Sequence, residues 1–107
     1  MGPGPERRSA PRYALVADVE VTELSSNATL NAKTSDVSVG GCFLYALCPF
    51  PKGAEVRVRI SANNATFTAV GNVVFALPNM GMGISYNCIA EDQLAILQEW
   101  ILSLSPA

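Results

Sequence analysis

The chain has 107 residues, of which 50% are apolar and 15% are charged, and its formal net charge is −2. This length suits one domain with a single core, and the composition excludes a disordered chain. A pI near 4.9 argues against a protein that coats a long polyanion. No apolar run approaches the roughly 20 residues of a membrane-spanning helix, and the N-terminal residues lack the apolar core of a secretory signal. We therefore expect a cytoplasmic protein without membrane insertion.

Residues 1–12 form a segment that differs from the rest of the chain. It is rich in proline and glycine and carries three of the seven cations, Arg7, Arg8 and Arg12. Because it shows no periodic apolar pattern, we predict a flexible basic arm in front of a single domain at 13–107.

From Tyr13 onward, apolar and polar residues alternate, which is typical of half-buried strands. Turn residues divide this alternation into six predicted strands, at 13–24, 28–36, 42–47, 56–60, 66–77 and 81–87. Gly71, near the middle of the fifth strand, predicts a bulge or bend. The turn at 49–53 is interpreted as a hairpin connection between the third and fourth strands.

The last segment changes its period. Leucine and isoleucine recur at three- and four-residue spacing between Leu94 and Leu104, after the acidic pair Glu91-Asp92. This pattern predicts an amphipathic helix of about 14 residues, ending near 105–106. The fold class is therefore all-β, with six antiparallel strands and a C-terminal helix. We expect the strands to close into a barrel, because closure removes exposed edges, and the helix to cover one mouth or one side.

The sequence offers little for catalysis or metal binding. It has no histidine, and Cys42, Cys48 and Cys88 form no CxxC pair, so we interpret the cysteines as small buried hydrophobes. It also lacks a GxSxG elbow and a phosphate-binding GxxxxGK loop. We expect a protein that is not an enzyme and needs no cofactor or metal.

Two short motifs carry recognisable binding chemistry. The first is an RxxxR motif formed by Arg8 and Arg12, whose guanidinium groups suit phosphate oxygens and the O6/N7 edge of guanine. The second is a DxSxxG motif formed by Asp36, Ser38 and Gly41, in which a carboxylate is able to accept hydrogen bonds from guanine. Taken alone, the first is also explained as a solvated basic tail, and the second as a turn between strands.

The order and setting of the two motifs resemble the PilZ domain family. RxxxR precedes the first predicted strand, and DxSxxG follows the second. Three further segments agree with that family: the pair Gly40-Gly41 before an apolar strand, Pro51-Lys52-Gly53 before the next strand, and 82–86 in the final strand. The resemblance covers residues 6–104.

The resemblance implies a six-stranded PilZ-type barrel that binds cyclic di-GMP. In that family the two arginines, here Arg8 and Arg12, engage guanine and phosphate, and the arm wraps the ligand. The residue before them, here Arg7, influences whether one or two nucleotides are bound. The resemblance implies that the barrel side of the site is formed by Asp36, Ser38, Gly40 and Gly41.

We expect the ligand signal to reach an unidentified downstream protein through ordering of the arm, and the chain to be a monomer or a dimer. An alternative is a PilZ-fold interaction module that does not depend on nucleotide and docks through exposed aromatics such as Phe50 or Phe67. A barrel that binds single-stranded nucleic acid is disfavoured, because basic and aromatic residues do not alternate along its strands.

Overall fold

The computed structural model describes residues 11–104, and within them seven β-strands precede one α-helix. The strands are β1 (Tyr13–Ala14), β2 (Asp18–Glu23), β3 (Thr29–Val37), β4 (Gly41–Tyr45), β5 (Glu55–Ala62), β6 (Ala65–Leu77) and β7 (Gly81–Cys88). The helix, α1, spans Glu91–Leu102.

Six of these strands close into a barrel. They follow one another in the order β3, β2, β5, β6, β7 and β4, and β4 then pairs with β3 to complete the ring. Every neighbouring pair is antiparallel. The structure thus confirms the predicted fold class, a six-stranded antiparallel barrel with a C-terminal helix. The short strand β1 lies outside the ring and pairs with the end of β3.

Alternation along the strands fills the interior with branched and aromatic side chains. The largest fully buried apolar ones are Phe67, Leu44, Ile60, Met82, Leu97, Val21, Val37, Val56, Val58 and Val73. Each such side chain contributes about 1.5–3 kcal/mol by leaving water. The helix adds Leu97 and Trp100, and the Trp100 ring lies edge-on to Phe67 with 6.3 Å between centroids. The helix therefore packs against the barrel through β6.

The predicted first strand is divided in two. Tyr13 and Ala14 pair with Val37 and Asp36, whereas β2 pairs with β3 between Thr29 and Lys33. The intervening backbone is held by Thr34, whose amide donates to the carbonyl of Ala17 and whose hydroxyl accepts from the Ala17 amide, each at 2.9 Å. The buried Thr34 thus holds a bend between β1 and β2, which the continuous alternation of apolar and polar residues did not predict.

The interpretation of 49–53 as a hairpin connection is wrong. β4 pairs with β3 and β7, and β5 pairs with β2 and β6, so β4 and β5 are not neighbours. The segment instead crosses one end of the barrel. Proline and glycine mark where the chain turns, but they do not determine which strand it joins next.

The irregularity predicted at Gly71 is confirmed. Val70 lies opposite Cys88 and Gly71 lies opposite Tyr86, which leaves Asn87 of β7 as the extra residue. A side chain at position 71 would stand 2.2 Å from the carbonyl oxygen of Ser85, so the neighbouring backbone excludes one.

The helix begins at Glu91 as predicted but ends at Leu102, before the predicted end near 105–106. Ser103 ends it, because its hydroxyl donates to the carbonyl of Trp100 at 2.8 Å. Among the elements within residues 11–104, no helix is long and apolar enough to cross a membrane.

Candidate functional site

The Ser38–Gly41 segment is a tight turn that joins β3 to β4 and is held together by Ser38. The Ser38 amide donates to the carbonyl of Gly41 at 2.8 Å, and its hydroxyl oxygen accepts from the amides of Gly40 and Gly41 at 3.1 Å each. Across the barrel wall, the Tyr86 amide donates to the carbonyl of Gly40 at 2.9 Å. Ser38 is 7% exposed, so its hydroxyl stabilises the turn from the inside.

A β-bulge turns the Asp36 side chain toward the outer surface. Thr34 faces Leu44 and Asp36 faces Phe43, so Ser35 has no partner on β4. Strict alternation would place Asp36 on the same face as Thr34, which is fully buried. The extra residue reverses that alternation, and a carboxylate that would be costly to bury lies instead at the barrel surface.

Arg12 and Asp36 form an ion pair beside the turn. The Arg12 Nη2 atom lies 2.6 Å from Asp36 Oδ1, and Nε donates to the same oxygen at 2.9 Å. The second carboxylate oxygen accepts from the Ser35 hydroxyl at 3.2 Å. The Arg12 side chain is 54% exposed and that of Asp36 is 19% exposed, so the ion pair lies at the protein surface. The pairing of Tyr13 with Val37 holds Arg12 at this place.

The two glycines of the turn differ in what surrounds them. A side chain on Gly41 would stand 2.1 Å from the carbonyl oxygen of Ile84, so β7 approaches too closely to admit one. Within the described part of the chain, the atom nearest to a side chain on Gly40 would be the Ser38 hydroxyl oxygen, at 3.9 Å. Gly41 is therefore required by the barrel itself, whereas the space above Gly40 is open.

The Cys42 side chain lies buried beneath the site, beside the buried hydroxyl group of the half-buried Tyr86. Burial raises the pKa of the Cys42 thiol to about 12; the nearby Tyr86 hydroxyl and Arg12 oppose that rise, and the Asp36 charge adds to it. Burial also raises the pKa of Tyr86 well above its usual value, and the adjacent Cys42 adds to the shift. Among residues 11–104, the Tyr86 hydroxyl has no nitrogen or oxygen partner, and the Cys42 thiol beside it is a weak one. Both groups stay neutral at physiological pH.

The interpretation of the cysteines as buried hydrophobes is right for one of the three. Cys42 is buried, but Cys48 and Cys88 are exposed. Cys48 lies in the segment that connects β4 to β5, and Cys88 is the last residue of β7. Both positions lie outside the core. Within residues 11–104, no group of three or more potential ligand side chains is placed to hold a metal ion.

The structure brings together five of the seven predicted site residues. Arg12, Asp36, Ser38, Gly40 and Gly41 lie in or beside the turn between β3 and β4. Arg7 and Arg8 lie outside the described residues. A cleft of about 450 Å³ borders the turn at Val39 and extends to the end of β7 and the helix.

Two residues of the site were not predicted from the sequence. Ser35 supplies the bulge and a hydrogen bond to Asp36, and Thr34 anchors the bend beneath β1. The three consecutive polar residues from Thr34 to Asp36 break the alternation of β3, and that break was the available signal.

Comparisons with known proteins agree on the fold. The family model described as PilZ domain matches residues 6–103. The PilZ domain of CeSA from a cellulose-synthesizing bacterium superposes with a TM-score of 0.67 at 17% identity, covering 85% of this chain and 94% of that chain. The PilZ domain of YcgR from Escherichia coli, solved with c-di-GMP, gives a TM-score of 0.73 at 17% identity, covering 92% and 91%.

A third structure is similar over part of its length. The Bacillus subtilis inhibitor of motility MotI/DgrA gives a TM-score of 0.65 at 21% identity and covers 90% of this chain but 49% of that chain. No curated protein matches the sequence significantly. At these identities the solved structures establish a shared fold.

Proposed function

The chain belongs to the PilZ domain family, and on that premise we propose that it is a receptor for cyclic di-GMP. The observation that carries this proposal is the ion pair of Arg12 with Asp36 beside the Ser38–Gly41 turn. It unites a guanidinium and a carboxylate, the groups that suit phosphate and the Watson–Crick edge of guanine. The c-di-GMP complex of the similar YcgR domain supports the same ligand.

In this proposal Asp36 binds guanine through its carboxylate. Its Oδ1 atom already accepts two hydrogen bonds from Arg12, and its Oδ2 atom accepts one from Ser35 at 3.2 Å. A carboxylate offers about four acceptor positions, so Oδ2 is able to accept a further hydrogen bond from guanine N1–H or N2–H. The bulge at Ser35 places the Asp36 side chain on the outer face of the barrel, where a ligand is able to reach it.

Arg12 binds the phosphate or the guanine edge with the donors that Asp36 leaves free. Its guanidinium has five donors, of which Nε and one Nη2 hydrogen face Asp36. The side chain is 54% exposed, so a ligand is able to reach the guanidinium from the solvent side. We propose that Arg8 adds a second guanidinium on the other side of the ligand, and that Arg7 influences how many nucleotides bind.

The turn contributes shape more than hydrogen bonds from side chains. The Ser38 hydroxyl is engaged with the amides of Gly40 and Gly41, so its proposed role is to hold the turn in its binding conformation. Gly40 is exposed and has open space where a side chain would stand, which lets a flat base approach the backbone.

The energies are sufficient for a second-messenger receptor. Micromolar affinity corresponds to about 8 kcal/mol. A bidentate arginine contact to guanine contributes roughly 1–3 kcal/mol, and a hydrogen bond to a charged phosphate roughly 1.5–3 kcal/mol. Two arginines, one carboxylate and base stacking reach this total if ordering residues around the ligand costs little.

We further propose that binding brings residues 5–12 against the barrel and creates a surface that a downstream protein reads. Motility and biofilm regulation are the outputs this would serve, from the cytoplasm. The protein acts in this scheme by binding and not by catalysis. The barrel itself would change little, because its strands are paired on both sides around the ring.

Calorimetric titration with cyclic di-GMP tests the proposal. Arg12→Ala and Asp36→Ala are each expected to weaken binding by at least about tenfold, since each removes a charged contact. Arg8→Ala should do the same. Arg57→Ala is the matched control, because it removes one cation from β5, which is not a neighbour of β3 in the ring or of β4. Equal binding heats and affinities for the wild type and Arg12→Ala would contradict the proposal.

A second candidate is a PilZ-fold module that binds a partner without nucleotide. Phe67 is unsuited to this role, because it is fully buried, contrary to the prediction of an exposed ring. Phe50 is partly buried. Tyr45 and Phe75, by contrast, are 51% and 42% exposed, and they favour this candidate. A folded wild type that shows no binding of cyclic di-GMP in calorimetry would support this candidate. The same protein should also fail to retain a labelled single-stranded oligonucleotide, which would exclude a barrel that binds nucleic acid.

A further inference from the structure

The outer surface of the barrel is divided by charge. No Asp, Glu, Lys or Arg occurs between Val37 and Pro51 or between Ile60 and Ala90. These two stretches contain β4, β6 and β7, which are consecutive in the ring as β6, β7 and β4. The charged strand residues therefore lie on the other three strands, β3, β2 and β5.

The uncharged half carries a continuous apolar surface. In the strand register, Tyr45 of β4 and Leu77 of β6 lie on either side of Gly81, and Phe43 and Phe75 lie on either side of Gly83. The Phe43 and Phe75 rings stack with centroids 5.8 Å apart, and Tyr45 lies edge-on to Phe43 at 5.9 Å. We call these four side chains, with Met80 of the following turn, the uncharged wall.

Glycines in β7 allow the rings to lie flat on the sheet. A side chain on Gly83 would stand 2.3 Å from the Phe75 ring, and one on Gly81 would stand 2.9 Å from the Phe43 ring. The rings thus occupy the space over the central strand. The result is a contiguous aromatic surface and not a set of separate exposed side chains.

The wall remains open to solvent in the single chain. Tyr45 is 51% exposed, Met80 56%, and Phe75 and Leu77 42% each. The helix does not cover it, since α1 contacts β6 near Phe67, eight residues before Phe75. Eight strand residues span about 26 Å. A contiguous exposed apolar surface of this kind marks an interaction site.

We propose that the uncharged wall is a self-association surface, through which two copies of this chain pack as a two-fold dimer. Two such walls match each other in chemistry, because neither carries a charge that the other would leave unpaired. Their side chains would interdigitate as the facing sheets of a sandwich do. This goes beyond nucleotide binding and does not depend on it.

Charge elsewhere on the molecule favours this mode of pairing. The chain has a net charge of −2, and β2 and the helix carry the acidic groups Asp18, Glu20, Glu23, Glu91, Asp92 and Glu99. Asp18 and Glu20 of β2 are paired with Lys33 and Arg59 on the neighbouring strands. The helix contains no cation, so copies that met through it would bring carboxylates together. Pairing through the wall leaves the ion pairs of β2 and the acidic groups of the helix in water. Lys33 and Asp36 on β3, which face Tyr45 and Phe43 across the strand pair, supply a polar rim.

Sedimentation velocity and light scattering without nucleotide test the proposal. The wild type is expected to show the mass of a dimer at roughly 50 µM and to dissociate on dilution. Tyr45→Glu and Leu77→Glu should each raise the dissociation constant by more than about 100-fold, because a two-fold contact places each new carboxylate there twice. Both positions are exposed, so each variant should remain folded as a monomer, with the circular dichroism spectrum of the wild type.

Val16→Glu is the matched control. Val16 is 74% exposed and lies between β1 and β2, so this change adds the same charge to an exposed apolar residue outside the wall, and the dimer should persist. A wild type that remains monomeric up to roughly 200 µM overturns the proposal. So does a dimer that Tyr45→Glu and Leu77→Glu leave intact, or one that Val16→Glu disrupts equally. None of these outcomes depends on whether cyclic di-GMP binds.

Discussion

At the scale of single residues, the DxSxxG motif holds three different physical roles. Asp36 presents a carboxylate at the surface, Ser38 organises the turn from inside, and Gly41 admits the backbone of β7. The residue types alone predicted binding chemistry for the whole motif. They could not divide the roles, because the close approach of Ile84 to Gly41 exists only in the folded barrel.

The two glycines of the turn should separate folding from binding. Gly41→Ala is expected to lower the free energy of unfolding by about 1–3 kcal/mol, because the new methyl group meets the Ile84 carbonyl. Gly40→Ala meets nothing close and should change it by less than about 0.5 kcal/mol. If the ligand covers Gly40, that second variant binds cyclic di-GMP more weakly while unfolding normally. Urea denaturation and calorimetry measure the two effects, and equal stability losses would contradict the assignment.

Cys42 should make stability fall in alkaline solution. Its thiol titrates near 9 in the unfolded chain and near 12 in the folded protein, so the unfolded chain loses its proton first as pH rises. Stability from this group is complete below pH 9 and declines above it by up to about 1.4 kcal/mol per pH unit. Tyr86 adds a decline of the same sign at higher pH.

Urea denaturation of the reduced protein between pH 8 and pH 10 measures this decline. Cys42→Ala should show a shallower dependence, whatever its stability at pH 8. Iodoacetamide applied to the native protein at pH 8 provides a second measurement, because it should label the exposed Cys48 and Cys88 and spare Cys42. A pH profile unchanged by Cys42→Ala would contradict the account.

At the scale of secondary-structure elements, period-two alternation located the strands of the barrel. It failed where the ladder is irregular, as at Ser35, whose extra residue reverses the direction of Asp36. The hairpin interpretation of 49–53 failed for a different reason, since β4 pairs with β3 and β7 whereas β5 pairs with β6 and β2, and turn residues do not determine these partners. The helix start was predictable from its acidic first turn, whereas the earlier end depends on a local bond from Ser103 to Trp100.

The N-terminus of α1 lacks a side-chain cap, so a substitution there is able to stabilise the helix. Ala90 occupies the N-cap position with extended backbone angles, φ −64° and ψ 152°, and makes no capping hydrogen bond through its side chain. Ala90→Ser should add such a bond and raise the free energy of unfolding by about 0.5–2 kcal/mol. Ala95→Ser is the control, since the same change at an exposed interior position of the helix should lower it slightly. Equal shifts in the two denaturation curves would refute the prediction.

At the scale of the whole molecule, the family resemblance predicted the closed barrel, and the strand order was needed to see its two electrostatic halves. The uncharged stretches are separate in sequence, and they form one surface because β6, β7 and β4 are neighbours. The proposed nucleotide site lies at a border of this surface, where Asp36 faces Phe43.

Salt should weaken the nucleotide complex much more than it affects the fold. Cyclic di-GMP is a dianion, and in the proposed site it contacts the exposed Arg12, so raising NaCl from about 50 to 500 mM is expected to lower its affinity roughly five- to tenfold. The three ion pairs of residues 11–104 are exposed or rim contacts and contribute little to folding. Calorimetry of the wild type and Arg12→Ala at both salt concentrations measures the difference. A slope equally steep in Arg12→Ala would argue against a phosphate contact by Arg12.

The pairing of β3 with β4 has a consequence for how the response of a receptor is tuned. Because both strands are also paired on their outer sides, the turn between them is preorganised, and its half of the site loses almost no entropy when a ligand arrives. In the proposed scheme, the entropic cost of binding would then come from ordering residues 5–12. The sensitivity of such a receptor could therefore be reset, up or down, by substitutions in those leading residues, while the barrel stays the same.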